Sequence, residues 1–123
     1  MKTLSDIFPK VAVIGGGSFG TAVVKMVSEN TGVCRWWVHN EESAAHIREY
    51  HHNPRYLSSV AFDEGSVDIF TDINEAIAGC DIVIFAVPSA FVKEVLLNMN
   101  KGALDGKLVC STIKGIIPDE NMI

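Results

Sequence analysis

The fold of this chain is decided by one stretch, Lys10-Val11-Ala12-Val13-Ile14-Gly15-Gly16-Gly17-Ser18-Phe19-Gly20. Its first five residues form a short, mostly β-branched run, which is typical of a buried strand. Three glycines end this run, and beyond Ser18 apolar residues recur at the i, i+3, i+4 and i+7 spacing of an amphipathic helix. The stretch therefore predicts a strand, a glycine turn and a helix that stops near Gly32.

The spacing of the glycines, Gly15-x-Gly17-x-x-Gly20, is that of a dinucleotide-binding turn. Gly15 permits the tight turn, Gly17 lets the backbone approach a pyrophosphate, and Gly20 lets the helix pack closely on the strand. The N–H groups of Ser18 and Phe19 are then expected to face the phosphates at the positive end of the helix. A glycine turn without a ligand is the alternative, and the position between a strand and a helix favours the dinucleotide.

Strand and helix patterns continue to alternate along the rest of the chain. Further strands are predicted over 33–38, 67–70, 82–87 and 107–113. Helices are predicted over 41–51 and 73–78, and Ser89 is expected to cap another. Apolar strands that alternate with helices indicate a parallel sheet covered on both faces. The predicted fold is therefore a doubly wound α/β domain with three layers, αβα.

Length and charge limit the class of protein further. A chain of 123 residues corresponds to about one domain. The formal net charge of −5 argues against a nucleic acid or an anionic membrane as a partner. The apolar run over 82–87 is far shorter than the roughly 20 residues of a membrane span, and no secretory leader is evident. A cytoplasmic location is therefore expected.

The chain contains three cysteines, Cys34, Cys80 and Cys110. Their odd number and wide spacing fit neither a disulfide framework nor a metal site. Each lies in or beside an apolar stretch, so all three are expected to be buried structural thiols. Three histidines on a polar helical stretch, His46, His51 and His52, are expected to be solvated. No metal ion is expected.

Ligands of doubly wound sheets bind beyond the carboxyl ends of the strands, where the strand order reverses. In NAD-specific sites, an acidic residue at the end of the second strand holds the ribose hydroxyls. His39 and Asn40 occupy that place in this chain. His39 is expected to hydrogen-bond ribose or phosphate or to stack on adenine, with a solvent-facing side chain as the alternative. Because no carboxylate is present there, the choice between NAD and NADP stays open.

A lysine stands directly after the last predicted strand. Lys114 precedes Gly115, at the expected mouth of the crevice. Its ammonium group would there be able to bind an anionic or carbonyl-bearing substrate beside the nicotinamide. A solvated surface lysine is the alternative on position alone.

These residues together resemble the NAD(P)-dependent glycerol-3-phosphate dehydrogenases. The resemblance covers about 10–119, and its motifs follow in the order of that family. They are the glycine stretch with Thr21 and Ala22, the tryptophan-containing second strand, Asn53-Pro54-Arg55-Tyr56-Leu57, Ile84-Phe85-Ala86-Val87-Pro88-Ser89 and Thr112-Ile113-Lys114-Gly115. The resemblance implies a Rossmann-type NAD(P)-binding domain over 1–123 with its core over 10–117.

The resemblance also implies roles for individual residues. By it, Ser18 and Phe19 contact the cofactor pyrophosphate, His39 contacts the adenosine end, Tyr56 and Phe91 flank the nicotinamide side, and Lys114 touches both cofactor and glycerol phosphate. Lys114 is thereby the expected catalytic residue. An ordinary loop aromatic is the alternative for Tyr56, and helix core is the alternative for Phe91.

The reaction implied by the resemblance is hydride transfer between the nicotinamide and glycerol 3-phosphate, which gives dihydroxyacetone phosphate. In this family a second lysine and the phosphate clamp lie in a helical C-terminal domain, which is not expected within these 123 residues. We therefore expect an inactive cofactor-binding fragment of a homodimeric enzyme. The alternatives are a stand-alone NAD(P)-sensing module and the cofactor domain of a ketopantoate reductase or 6-phosphogluconate dehydrogenase type of enzyme.

Overall fold

Strand and helix alternate along the chain in the computed structural model, which describes residues 9–31, 33–54, 61–63 and 65–111. The elements in chain order are β1 Val11–Ile14, α1 Ser18–Thr31, β2 Cys34–Trp37, α2 Glu41–Tyr50, β3 Val67–Phe70, α3 Ile73–Ile77, β4 Ile82–Phe85, α4 Ser89–Leu97 and β5 Leu108–Ser111. Each predicted strand and helix is therefore present, although most are one or two residues shorter than the sequence pattern indicated.

The strands form one five-stranded sheet in the order β3-β2-β1-β4-β5, and every neighbouring pair is parallel. Ile14, the last residue of β1, lies opposite Trp37 of β2 and Phe85 of β4. The carboxyl ends of the three central strands are therefore level, and the strand order reverses between β1 and β4. The predicted doubly wound, Rossmann-type α/β fold is confirmed.

Two apolar cores cover the two faces of the sheet. Successive residues of β1 point to opposite faces, so Val13 joins the core that contains Val24 and Trp36. Ile14 joins the other core, with Ile77 and Phe85. All four residues of β1 are buried. This two-sided burial explains why the sequence of a central parallel strand is apolar without alternation.

The start of α4 differs from the prediction. Pro88, not Ser89, is the N-cap residue, and no side chain caps this helix. Pro88 has φ −57° and ψ 144°, so the chain is still extended at Pro88 and becomes helical at Ser89. The expectation that the Ser89 hydroxyl caps the helix is therefore wrong, because Ser89 already belongs to the first turn.

The burial of the cysteines also differs from the prediction. Cys34 and Cys80 are buried, as expected, but Cys110 is exposed. Cys110 lies on β5, an edge strand of the sheet, where the side chain of Leu108 is also 60% exposed. Within the described residues, this face of β5 is therefore less covered than the faces of the central strands.

The histidines near the end of α2 contact one another. The Nε2 atoms of His46 and His52 are 3.2 Å apart, and both side chains are partly buried. His51 between them ends the helix with a left-handed backbone, φ 61°. The expectation of solvated side chains therefore holds only in part, because all three are of intermediate exposure and two of them contact each other. In the described part of the chain, no three potential metal-ligating side chains are grouped.

No helix among the described residues has the length and apolar character needed to cross a membrane.

Candidate functional site

Two glycines where β1 leads into α1, Gly15 and Gly20, stand where a larger residue would not fit. Gly15 has φ 128°, and a Cβ atom at this position would lie 2.6 Å from the carbonyl oxygen of Ala86 on the neighbouring β4 connection. A Cβ atom at Gly20 would lie 2.2 Å from the carbonyl oxygen of Gly15. Gly15 thus allows the turn to pass β4, and Gly20 allows α1 to approach the turn.

Gly17 is different, because its surroundings are open. A Cβ atom at Gly17 would meet no atom within 4 Å, and the backbone of Gly17 is not in the left-handed region. The fold therefore does not require glycine at this position. An absent side chain on the open side of the turn leaves the peptide backbone accessible to a ligand, which is the property a pyrophosphate site needs.

The carbonyl groups of the turn point into the protein. The indole N–H of Trp36 donates to Gly15 O at 2.7 Å. The side-chain amide of Asn53 donates to Gly16 O at 2.9 Å. Both donors come from outside the turn and are buried: Trp36 is completely buried, and Asn53 is only 1% exposed.

The third carbonyl of the turn is bound from within α1. Thr21 donates to Gly17 O through its backbone N–H at 2.9 Å and through its hydroxyl at 2.7 Å. Three successive carbonyl oxygens, those of residues 15, 16 and 17, are therefore hydrogen-bonded to the side chains of Trp36, Asn53 and Thr21. We refer to these three side chains as the carbonyl clamp.

The N-terminus of α1 completes an anion-binding geometry. Helix α1 begins at Ser18, and the first N–H groups of a helix have no acceptor within it. The first turn contains no acidic residue, so the positive end of the helix dipole is not neutralised by its own sequence. Ser18 and Phe19 are both exposed, Phe19 by 59%. This end of α1 therefore offers N–H donors and an aromatic face to a phosphate-containing ligand.

The end of β2 lies against the turn. A Cβ atom at Gly16 would lie 3.1 Å from Cγ1 of Val38, which places the residues after β2 next to the glycines. His39 is exposed, and its ring centroid is 6.0 Å from that of Trp37. Asn40 is the N-cap residue of α2, and its side chain accepts a hydrogen bond from Ser43 N at 3.0 Å. The end of β2 thus presents an imidazole and a capping amide, without a carboxylate.

The end of β4 brings a second exposed aromatic side chain to the same edge of the sheet. Ala86 N donates to Ile14 O at 2.8 Å, so the chain leaves β4 beside the glycine turn and enters α4. Phe91 lies in the first turn of α4 and is 53% exposed. It is therefore not a residue of the helix core.

Two predicted site residues, Tyr56 and Lys114, lie outside the residues that the structure describes. The glycines, Ser18 and Phe19 are adjacent in the turn, while His39 and Phe91 follow the two strands that flank β1. Sequence reasoning missed the carbonyl clamp. A tryptophan in a strand and an asparagine in a polar loop carry no local signal of a bond to the turn, because their partners lie 21 and 37 residues away in sequence.

A cavity of about 530 Å³ lies elsewhere, between α2, residues 62, 63 and 65, and β3. Its lining includes Ile47, Phe62 and Ile69, and it includes none of the predicted site residues. The cavity therefore shares no lining residue with the glycine turn.

The chain is similar to known proteins in family, in sequence and in structure. The family described as NAD-dependent glycerol-3-phosphate dehydrogenase N-terminus matches residues 10–123. A glycerol-3-phosphate dehydrogenase [NAD(P)+] from Pseudomonas aeruginosa is 42% identical over 106 residues, which are 86% of this chain and 31% of that protein. The enzyme of the same name from Azotobacter vinelandii is 39% identical over 106 residues. The chain thus spans about a third of these relatives.

Solved structures of glycerol-3-phosphate dehydrogenases are also similar to this chain. Glycerol-3-phosphate dehydrogenase from Saccharomyces cerevisiae superposes with a TM-score of 0.73 and 26% identity, over 86% of this chain and 33% of that one. The enzyme from Plasmodium falciparum gives a TM-score of 0.66 and 26% identity, over 76% of this chain and 29% of that one. An imine reductase from Myxococcus stipitatus in complex with NAD+ gives a TM-score of 0.64 at 20% identity, over 88% of this chain and 33% of that one, and shares the fold alone.

Proposed function

Because the chain belongs to the NAD-dependent glycerol-3-phosphate dehydrogenase N-terminus family, we propose that it binds NAD or NADP at the glycine turn between β1 and α1. The observation that carries this proposal is the form of the turn. Its carbonyl groups are bound inward, its open side lies at Gly17, and it leads directly into the N-terminus of α1. This arrangement fits a pyrophosphate in its charge and in the space it leaves.

The other predicted residues take positions around this cofactor. We assign the pyrophosphate to the N–H groups of Ser18 and Phe19, and the adenosine end to His39 beyond β2. The exposed ring of Phe91, together with Tyr56, is assigned to the nicotinamide side. The assignments of Ser18, Phe19, His39 and Phe91 rest on the strand ends that these residues follow and on the family resemblance, and that of Tyr56 rests on the resemblance alone.

In a longer protein, such as the relatives, this domain would serve the interconversion of glycerol 3-phosphate and dihydroxyacetone phosphate. The cofactor would supply the hydride chemistry, and the domain would hold and orient it. Lys114 is assigned the catalytic role in this chain, because an ammonium group at the crevice favours a phosphorylated substrate and a developing negative charge. The 42% identity to an enzyme of that name supports this substrate over the hydroxy acids of the alternative enzymes. We also propose that this longer protein is a homodimer and that it is located in the cytoplasm.

Fluorescence titration of the chain with NADH and with NADPH tests the cofactor site, with Gly17→Ala as the decisive variant. A Cβ atom at Gly17 has no protein neighbour within 4 Å, so the melting temperature should not fall. The added methyl group would lie where the phosphates approach, so affinity should fall by about ten-fold or more, a loss of roughly 1.4 kcal/mol.

The contrasting variant is Gly20→Ala. Its Cβ atom would lie 2.2 Å from Gly15 O, so this variant should lose both thermal stability and affinity. The proposal is wrong if the unaltered chain binds neither dinucleotide, or if Gly17→Ala binds both as tightly as the unaltered chain does.

A further inference from the structure

We propose that Asn53 is a positioning residue for the pyrophosphate, acting through the carbonyl clamp and with no contact to the ligand of its own. The proposal rests on the proposed function, since it concerns how the same turn presents its N–H groups. Asn53 is only 1% exposed, although it belongs to a polar loop. A buried amide is costly unless its hydrogen bonds are made, so its partners indicate what it does.

Both donor positions of the Asn53 amide are directed at the turn and at α1. Nδ2 lies 2.9 Å from Gly16 O and 2.9 Å from the hydroxyl oxygen of Thr21. The Thr21 hydroxyl in turn donates to Gly17 O at 2.7 Å. One asparagine therefore fixes the second carbonyl directly, and through the Thr21 hydroxyl it supports the third, which Thr21 N also holds, while Trp36 fixes the first.

The planarity of the peptide bond converts this carbonyl arrangement into a ligand site. In a trans peptide the N–H of a residue points opposite to the carbonyl of the residue before it. With Gly16 O held toward Asn53, the N–H of Gly17 points away from the protein interior. With Gly17 O held toward Thr21, the N–H of Ser18 points out of the N-terminal end of α1. The clamp thus presets donors that a pyrophosphate would otherwise have to order.

The chemistry of the clamp requires an amide at position 53. An aspartate has nearly the same shape, but its carboxylate has no N–H to donate and would place a negative charge against Gly16 O. In Asn53→Asp the carbonyl of Gly16 would be repelled, and the N–H of Gly17 would no longer be held outward. An effect through the N–H groups should weaken phosphate-containing ligands and spare ligands without phosphate.

The test compares ADP with adenosine as ligands of the unaltered chain, Asn53→Asp and Thr21→Val, by calorimetric or NMR titration with melting temperatures recorded alongside. Thr21→Val keeps the side-chain shape and removes the relay, so it carries the test if Asn53→Asp does not fold. Both variants should bind ADP about ten-fold more weakly or worse, which corresponds to one lost buried hydrogen bond. Adenosine affinity should change by less than about two-fold, because no phosphate contact is involved.

Ser28→Ala is the matched control. Ser28 is also a buried residue of α1 whose hydroxyl donates to a backbone carbonyl, that of Lys25, at 3.1 Å. It lies seven residues beyond Thr21, about 10 Å along the helix, so its loss should lower the melting temperature without changing either affinity.

The outcomes separate the two proposals. Unchanged ADP binding in folded Asn53→Asp and Thr21→Val, or an equal loss for ADP and adenosine, overturns the role of Asn53 and leaves the cofactor site intact. Failure of the unaltered chain to bind ADP, NADH and NADPH overturns the proposed function, and the role of Asn53 with it.

Discussion

Cys34 shows how strongly the core affects a single side chain. Burial in the core, together with the smaller effects of the nearby Cys80 and Asp68, raises the pKa of the Cys34 thiol from 9.0 to about 12. Burial also raises the pKa of Cys80, although Arg35 and Lys107 act in the opposite direction. Both thiols therefore stay protonated in the folded chain at pH values where an unfolded chain begins to lose the proton.

This difference predicts an alkaline loss of stability. The folded-state pKa of Cys34 lies above the unfolded value, so its contribution to stability is complete below pH 9 and is lost as the pH rises toward 12. Between pH 8 and pH 10 the free energy of unfolding should fall by about 1 kcal/mol more in the unaltered chain than in Cys34→Ala. Urea titrations of both proteins at the two pH values measure this. An equal fall in the free energy of unfolding in both proteins would show that the pKa of Cys34 does not change on unfolding.

At the scale of the residue, the sequence predicted the burial of some side chains correctly and that of others wrongly, and the reason is physical. Cys34 and Cys110 both lie in apolar strand patterns, yet only Cys34 is buried, because β2 lies inside the sheet and β5 lies at its edge. Asn53 is the opposite case, a polar loop residue that is buried by its bond to Gly16. In both cases burial depends on distant partners, which the local pattern does not contain.

Among the elements, α2 begins at an N-cap residue that follows the end of β2, at the edge of the sheet where the cofactor is proposed to bind. Asn40 has φ −89° and ψ 118°, and its side-chain oxygen accepts from Ser43 N. The position is 20 residues beyond Gly20, where an acidic residue holds the ribose in NAD-specific sites. Asn40 therefore caps α2 at the position where the proposed cofactor site would place the ribose, and it brings no negative charge there.

This double position predicts the effect of Asn40→Asp on cofactor choice. Aspartate caps a helix as well as asparagine does, so the melting temperature should stay nearly unchanged. A carboxylate next to the ribose repels a 2′-phosphate and accepts from a 2′-hydroxyl, so NADPH affinity should fall about ten-fold relative to NADH affinity. Parallel titrations with both dinucleotides measure the ratio.

Asp72→Asn provides the matched control, because Asp72 caps α3 by accepting from Asn74 N at 2.9 Å. This variant exchanges the same two side chains at a cap outside the predicted site. In Asp72→Asn the ratio of NADPH affinity to NADH affinity should be unaffected. An unchanged ratio in Asn40→Asp would show that the end of β2 does not face the ribose.

The sequence predicted the ends of a helix more accurately where the residue that begins or ends it gives a clear local signal. Asp72 and Gly79 mark the two ends of α3, and the structure confirms Asp72 as the N-cap and gives Gly79 a φ of 75°. The start of α4 was misplaced because serine and proline both suit the beginning of a helix, and only the backbone angles show which residue precedes it.

For the molecule as a whole, the sheet separates two cores that are both required. The core with Trp36 and Val24 lies on one face, and the core with Phe85 and Ile77 lies on the other. Since β1 contributes to both, losses on either face should weaken the same sheet. The alternation of strand and helix predicted the layers, whereas the order of the strands follows from the crossover connections between them.

Stability measurements on Ile77→Val test this division into core and edge. Ile77 is 1% exposed, so loss of one methyl group should lower the free energy of unfolding by about 1 kcal/mol. Leu108→Ala removes a larger group from a side chain that is 60% exposed, and the change should stay within about 0.5 kcal/mol. Urea denaturation with unchanged m-values measures both. A larger loss in Leu108→Ala would show that this edge of β5 is covered in solution.

The bond between Trp36 and Gly15 also makes the chain its own spectroscopic probe. The chain has two tryptophans, and each indole N–H is held by a backbone carbonyl: that of Trp36 by Gly15 O and that of Trp37 by Thr71 O. Indole N–H groups resonate apart from backbone amides, so two signals suffice to follow the molecule without chemical labelling. The Trp36 signal reports the state of the glycine turn, and the Trp37 signal reports the link between β2 and the residue that follows β3.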